Sequence, residues 1–341
     1  MIELENLLCR IREAVRKHRV GEGRYALFAT PAQGGESDGR RDKPYGCADA
    51  ANIQYTLGDF PADPAEREAA VRALQDFQDP ETGLFHDVAT PGYPFYCHHP
   101  FHTTAHCTAA LELFDARPRY RLKALEPYLD FRRMADLLDG LNWTGNPWPE
   151  SHQGAGIYSA LVITGMAGRG WRREFFEYLT RNADPEYGMS RAGAIQTGKA
   201  KLSHHLNGWF HYLFCFNHDN APFPYPEKLI DTCLDLCRNR PAGDLFGRST
   251  GFQEIDWVFP LNRASRQTPH RHEEIKAALR DFAVSYIAFL YSLAESDSAA
   301  FNELHSLFGT VCCLSELYLA LPGEIAVEKP LKNVLDRRPF I

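Results

Sequence analysis

Nine of the fourteen histidines fall at or just before the starts of apolar segments. They are His98, His99, His102, His106, His152, His204, His205, His305 and, one turn further in, His211. The same starts carry acids, amides and tryptophans. The segment opening near residue 46 brings Asp49 and Asn52, and the one near 151 brings Gln153 after Trp148. The one near 203 adds Asn207 and Trp209, that near 251 adds Glu254, Asp256 and Trp257, and that near 301 sets Glu303 beside His305. Asp, Asn, Ser and Glu at helix starts are ordinary caps and dipole partners. Histidine is not a favoured cap, so its clustering asks for a chemical reason. A neutral imidazole is a competent general base near neutral pH, and a helix N-terminus lowers the pKa of a nearby His. Glycoside cleavage needs two carboxylates whose separation decides inversion or retention. Asp49 facing Glu254 or Asp256 is the candidate pair, with His102, His152 and His205 as further proton-transfer groups. Asn52, His106, Trp148, Gln153, Asn207, Trp209, Trp257, Glu303 and His305 are the expected substrate contacts. Trp143 and Tyr158 near the same end add further aromatic faces on which a sugar can stack. Arg191 and Arg248 are candidates to clamp an anionic group, although solvated loop positions suit them better.

Other chemistries fit less well. His102 and His106 share a helical face at a spacing that suits zinc, but Pro100 precedes them and no HExxH accompanies them, so no metal is expected. There is no G-x-S-x-G elbow, no P-loop and no dinucleotide glycine pattern. Cys47, close to Asp49, would need exposure and a base to act as a nucleophile. No cofactor is expected.

The elements that must position these groups are helices of two kinds. Helix-period apolar positions recur at Leu4, Leu7, Leu8, Ile11 and Val15, at Val71, Leu74 and Phe77, and at Phe131, Leu137, Leu138 and Leu141. Three further sets follow, at Phe175–Leu179, Leu229–Cys237 and Ile275–Phe289. All six keep a charged opposite face. Between them lie the six histidine-headed segments, apolar nearly all round, such as "HHLNGWFHYLFCF", and a helix without a polar face is buried on all sides. Their starts, near 46, 101, 151, 203, 251 and 301, recur about every fifty residues, a repeat signature. Kelch propellers share that period but need short alternating strands, which are not visible. The joints repeat as well: "QDPETGLFHD" at 78–87, "ADPEYGMSRA" at 183–192 and, more loosely, "NRPAGDLFGR" at 239–248. These read as glycine caps and reversals from an outer helix to its inner partner. Pro127 and Pro226 mark the starts of outer helices three and five. Six hairpins with fully apolar inner helices close better into a double-layered ring than into an open array, because closure buries every inner face. In such a ring the N-termini of the inner helices gather at one end, and with them the polar list above. The expected fold is an all-α (α/α)6 barrel, one domain over 1–341, with a possible lid at 18–45 rich in Gly, Arg and Asp.

"QDPETGLF" followed by "HTTAHCTAALELF" resembles the repeats of the α/α-toroid proteins, which include terpene cyclases, protein prenyltransferase β-subunits and six-hairpin glycosidases. The resemblance covers nearly the whole chain as an architecture. It implies the fold far more than an activity. Within that fold the acids lead to a carbohydrate-active enzyme of the glycoside hydrolase type, and the abundance of His makes sugar epimerisation or polysaccharide lysis by a His base the close rival. An isoprenoid cyclase would need an Asp-x-Asp-Asp motif, of which "CADAA" offers one acid. The Asp231-Thr-Cys233 triplet is similar to prenyltransferase zinc ligands but sits in an outer helix. A non-catalytic binding toroid is the remaining alternative.

A formal charge of −7 and 44% apolar residues describe a globular chain without the basic footprint of a nucleic-acid binder. No apolar run approaches bilayer length, and the amphipathic N-terminus lacks the features of a signal peptide. Nine cysteines, an odd number without a CxxC, point to a reducing, cytoplasmic setting rather than a disulfide framework. The expected partner is a small molecule or oligosaccharide, with neither nucleic acid nor membrane.

Overall fold

The computed structural model describes residues 1–30, 41–86, 99–240, 243–295 and 299–341, and they are mostly helical. The outer, amphipathic set comprises α1 (Glu5–His18), α3 (Pro64–Gln75), α5 (Phe131–Gly140), α7 (Arg169–Asn182), α10 (Pro226–Arg238) and α12 (His272–Glu295). The apolar set comprises α2 (Pro44–Thr56), α4 (Pro100–Leu113), α6 (Pro147–Ile163), α9 (Leu202–His218), α11 (Ile255–Ala264) and α13 (Leu304–Ala320). A single turn, α8 (Ala194–Thr197), precedes α9. Strand content is slight: β1 (Ile2–Glu3) pairs in parallel with β4 (Ile325–Ala326), and β2 (Arg19–Gly21) pairs antiparallel with β3 (Arg24–Tyr25).

Burial separates the two sets sharply. Every residue from Pro44 to Ile53, from His205 to Phe216 and from Ile255 to Ala264 is buried. In α5 only Met134 and Leu138 are, and in α3 only Ala69, Ala73 and Leu74. The apolar helices pack in a circuit: α2 on α4, α4 on α6, α6 on α9, α9 on α11, α11 on α13, and α13 back on α2. Removing so many Leu, Ile and Phe side chains from water, at about 1.5–3 kcal/mol each, is what holds them together. Glycines set the spacing. A Cβ on Gly156 of α6 would stand 2.7 Å from the Phe101 carbonyl in α4, and one on Gly208 of α9 would stand 2.7 Å from that of Pro147 in α6. The start of each of these helices therefore lies against the body of the next.

The repeated joints are one structure used twice. In the first, Asp79 Oδ1 accepts from Glu81 N and Thr82 N, while Asp79 N and the Leu84 carbonyl bond at 2.8 Å. In the second, Asp184 Oδ1 accepts from Glu186 N, and Asp184 N bonds to the Met189 carbonyl at 2.7 Å. Gly83 and Gly188 close these turns at φ +78° and +67°. They are not helix caps as the sequence suggested, since α3 ends at Gln75 and α7 at Asn182, several residues earlier. They sit where backbone from a neighbouring outer segment approaches, with Arg121 O and Leu229 N within 2.4 Å of any added Cβ.

Three other expectations shift. Pro127 lies inside a 3-10 turn, Lys123–Leu129, and α5 starts after it because Asp130 caps Arg132 N at 3.1 Å. Of the segment 18–45, residues 31–40 lie outside the described residues; much of the rest is ordered into α1, the β2–β3 pair and the start of α2. One described helix, α12, is long and apolar enough to cross a membrane by length and composition, with a third of that window buried. Glu273, Glu274, Lys276, Arg280 and Asp281 fall in its first half, while Leu279, Phe282, Tyr286 and Leu290 are buried. It packs on α1, α10, α11 and α13.

Candidate functional site

The histidines meet where the N-terminal halves of the apolar helices come together. In α2, Pro44 at the first position sets the helix start, and Tyr45 and Asp49 follow at i and i+4 on one face. In α4, Pro100 does the same for His102 and His106. Asp49 Oδ1 lies 2.8 Å from His106 Nε2 and 3.1 Å from His305 Nδ1 at the start of α13. The Tyr45 hydroxyl stands 2.5 Å from His102 Nδ1. Its ring stacks on His106 at 5.1 Å and meets His305 edge-on at 4.8 Å. His152 of α6 carries the chain onward, its ring 4.3 Å from His102 and 4.5 Å from His211 of α9. Ser151 Oγ lies 2.8 Å from His211 Nδ1.

Charge in this cluster follows from burial. Asp49 is wholly inaccessible, which opposes ionisation, but the two imidazoles outweigh that and hold its pKa below the usual carboxylate range. Burial pushes the pKa of His106 down against the pull of Asp49. His211 is pushed down to about 3 by burial alone. Among the described residues, Asp49 Oδ2 and His106 Nδ1 make no hydrogen bond although both are buried.

A polar anchor lies behind the cluster. Arg338 is buried, its guanidinium bonded to the Asn52 side chain, to Ala109 O at 2.6 Å and to Phe340 O at 2.6 Å. Burial lowers its pKa to about 10. Phe340 then stands 4.8 Å from His102, 6.3 Å from His106 and 5.7 Å from Phe214, ring to ring.

The expected residues divide into four groups. Asp49, His102, His106, His152 and His305 are brought together as described. Glu303, next to His305, is a second carboxyl in this neighbourhood; burial raises its pKa, and it accepts a 2.6 Å bond from Ser306. Asn207 lines a different space, a cavity of about 690 Å³ between α9 and α11 that also includes Lys201, His204, Arg240 and Gln253. Trp148 lies close by, its ring 6.1 Å from His204, and Gln153 reaches Glu150 at 3.4 Å.

The carboxylates of α11 turn elsewhere. Glu254 accepts from Gly247 N at 2.9 Å and Ser249 Oγ at 3.2 Å, which ties it to its own preceding loop. Burial raises its pKa. Asp256 is fully buried without a hydrogen-bond partner among the described residues; burial, then Glu254, drive its pKa well up, which favours its neutral form. His205 is buried, and that burial lowers its pKa against the pull of a backbone contact with Ser190.

The last group is structural in placement. Asn52 is held by Arg338. Trp209 is wholly buried against Tyr212 and Phe216. Trp257 donates to Cys233 O at 2.8 Å and packs on Phe246 and Phe282. Trp143 and Tyr158 are likewise core residues, and Arg191 is paired with Asp139 at 2.6 Å. Cys47 is buried and its thiol is pushed up to about 12, so it is no thiolate. His98 lies outside the described residues. Sequence reasoning missed Tyr45, Ser151, Arg338 and Phe340. Only Tyr45 left a signal, its i, i+4 spacing to Asp49.

Comparisons of the chain with protein-family models, with curated proteins and with solved structures find no match.

Proposed function

We propose that the chain is a carbohydrate-active enzyme built as an (α/α)6 toroid, in which histidines at the mouth of the inner helices move a proton on a sugar substrate. The circuit of packing from α2 through α13 and back supports the toroid. The observation that carries the function is the connected cluster of Tyr45, Asp49, His102, His106, His152, His211 and His305, drawn from five of the six apolar helices. Such convergence of imidazoles around one carboxylate suits general acid–base chemistry. His102 and His152 are the proton-transfer residues. The Tyr45 hydroxyl both donates and accepts, so it supports either neutral tautomer of His102. Asp49 orients the neighbouring rings.

This favours epimerisation or lysis, where a base removes a carbon-bound proton, over two-carboxylate hydrolysis. Glu254 is occupied by Gly247 and Ser249. Hydrolysis keeps one supporting argument: the raised pKa of Asp256 favours the neutral form that a proton donor needs. The test is product analysis on a panel of neutral and uronate oligosaccharides. An unsaturated ultraviolet-absorbing uronide identifies a lyase, deuterium uptake without cleavage an epimerase, and new reducing ends a hydrolase. His102→Gln abolishes whichever signal appears. Absence of all three across the panel rejects the enzyme reading.

A further inference from the structure

We infer that Asp49, His106 and His305 form a site for one divalent transition-metal ion of the zinc class. The inference stands on the cluster's geometry and does not need the sugar chemistry. Sequence reasoning expected no metal because it weighed a motif on a single helix; this set draws one ligand from each of α2, α4 and α13.

Three arguments support it. The first is distance. One donor atom from each of the three side chains lies within 4.8 Å of the other two, and two pairs stand at 2.8 and 3.1 Å. Bonds of about 2.0–2.1 Å to zinc put neighbouring ligands roughly 3–3.5 Å apart, so small rotations admit the ion. The second is charge. Asp49 is a wholly buried carboxylate whose hydrogen-bond partners among the described residues are imidazoles, and its Oδ2 is left unsatisfied. Buried polar atoms without partners are costly and ask for a reason, and a divalent cation supplies the missing counter-charge. The third is donor type. Two imidazoles and one carboxylate suit zinc, iron, nickel or copper, whereas calcium and magnesium want oxygen cages. Three protein ligands leave a position for water or a substrate oxygen. His305, at 9% exposure, is the side of the set nearest solvent.

The test is metal binding to the full chain after EDTA treatment. Calorimetry with Zn²⁺ is expected to give one site with micromolar or tighter affinity. Co²⁺ loading is expected to give visible absorption bands. Asp49→Asn and His305→Gln should each weaken binding at least tenfold, while His272→Gln, at the exposed start of α12, should leave it unchanged. Circular dichroism checks folding; should Asp49→Asn fail to fold, the peripheral His305→Gln decides. No binding at 100 µM Zn²⁺ (about 100 µM being far weaker than structural or catalytic zinc), or binding indifferent to both ligand variants, overturns the proposal in favour of a hydrogen-bonded Asp–His–His set. Turnover is not a readout here, so the sugar reading and the metal site stand or fall separately.

Discussion

The Tyr45 hydroxyl, 2.5 Å from His102 Nδ1, joins the first apolar helix to the second where the histidines meet. Tyr45→Phe keeps the ring that stacks on His106 and removes this bond together with a long 3.5 Å contact to Thr103 Oγ1. Stability should fall by about 1 kcal/mol, the usual net worth of one hydrogen bond. Turnover should fall by about 100-fold if the bond serves proton transfer. Unchanged kcat with the same loss of stability would reduce Tyr45 to a packing residue.

Asp256 gives a pH signature. Its folded pKa is raised by burial, so it favours the native state fully below the unfolded value of about 3.9, and that contribution is lost as pH rises. Asp256→Asn removes the titrating group. The gap in Tm between variant and wild type should be smallest near pH 4 and widen in the variant's favour toward neutral pH. Parallel melting curves from pH 4 to 8 would contradict a neutral buried acid.

The reversal at Gly188 combines φ +67° with Leu229 N only 2.4 Å from an added Cβ. Gly188→Ala must strain the turn and displace the start of α10. A loss of about 2–4 kcal/mol is expected in urea denaturation, the sum of left-handed strain and overpacking. Gly193→Ala, at φ +79° with nothing within 4 Å, should cost only about 1–2 kcal/mol. Equal losses at the two sites would remove the role given to close approach.

Glu316 in α13 binds Arg263 through two bonds, 2.7 and 2.8 Å, and Asn262 at 2.5 Å, with both charged side chains buried. Glu316→Gln leaves Arg263 with only the half-exposed Asp336 as an anionic partner, at 2.7 Å. Breaking a buried pair this way costs about 3–5 kcal/mol. Chemical denaturation measures it, and a loss under 1 kcal/mol would mean that Asp336 and water take over.

Much of the layout was legible beforehand because it is periodic. The charged face of α5 and the all-round apolarity of α9 are properties of local spacing, so the alternation of amphipathic and apolar helices follows from reading along the chain. So does the kinship of the Asp79 and Asp184 turns, since an Asx bond and a left-handed glycine are settled within six residues. Pro44, Pro100 and Pro147 fix three inner helix starts for the same reason.

The site itself was legible only as a list. His102 and Glu254 look alike in sequence, each a polar residue at the head of an apolar segment. A rotation of the helix about its axis decides which one faces the cluster, and that rotation is set by packing against both neighbours. Glu254 turned to Gly247 and Ser249; Trp209 and Trp257 were taken by the core because their large rings bury more area there than at a mouth. Arg338 and Phe340, nearly three hundred residues from Asn52, carried no local mark at all. The sequence determined which residues are apolar, which turn and which begin helices, because those are nearest-neighbour matters. Only the tertiary structure decided that one carboxylate on α2 should meet imidazoles from α4 and α13, because contact between distant residues depends on the rotation and stagger of whole helices, which no local pattern encodes.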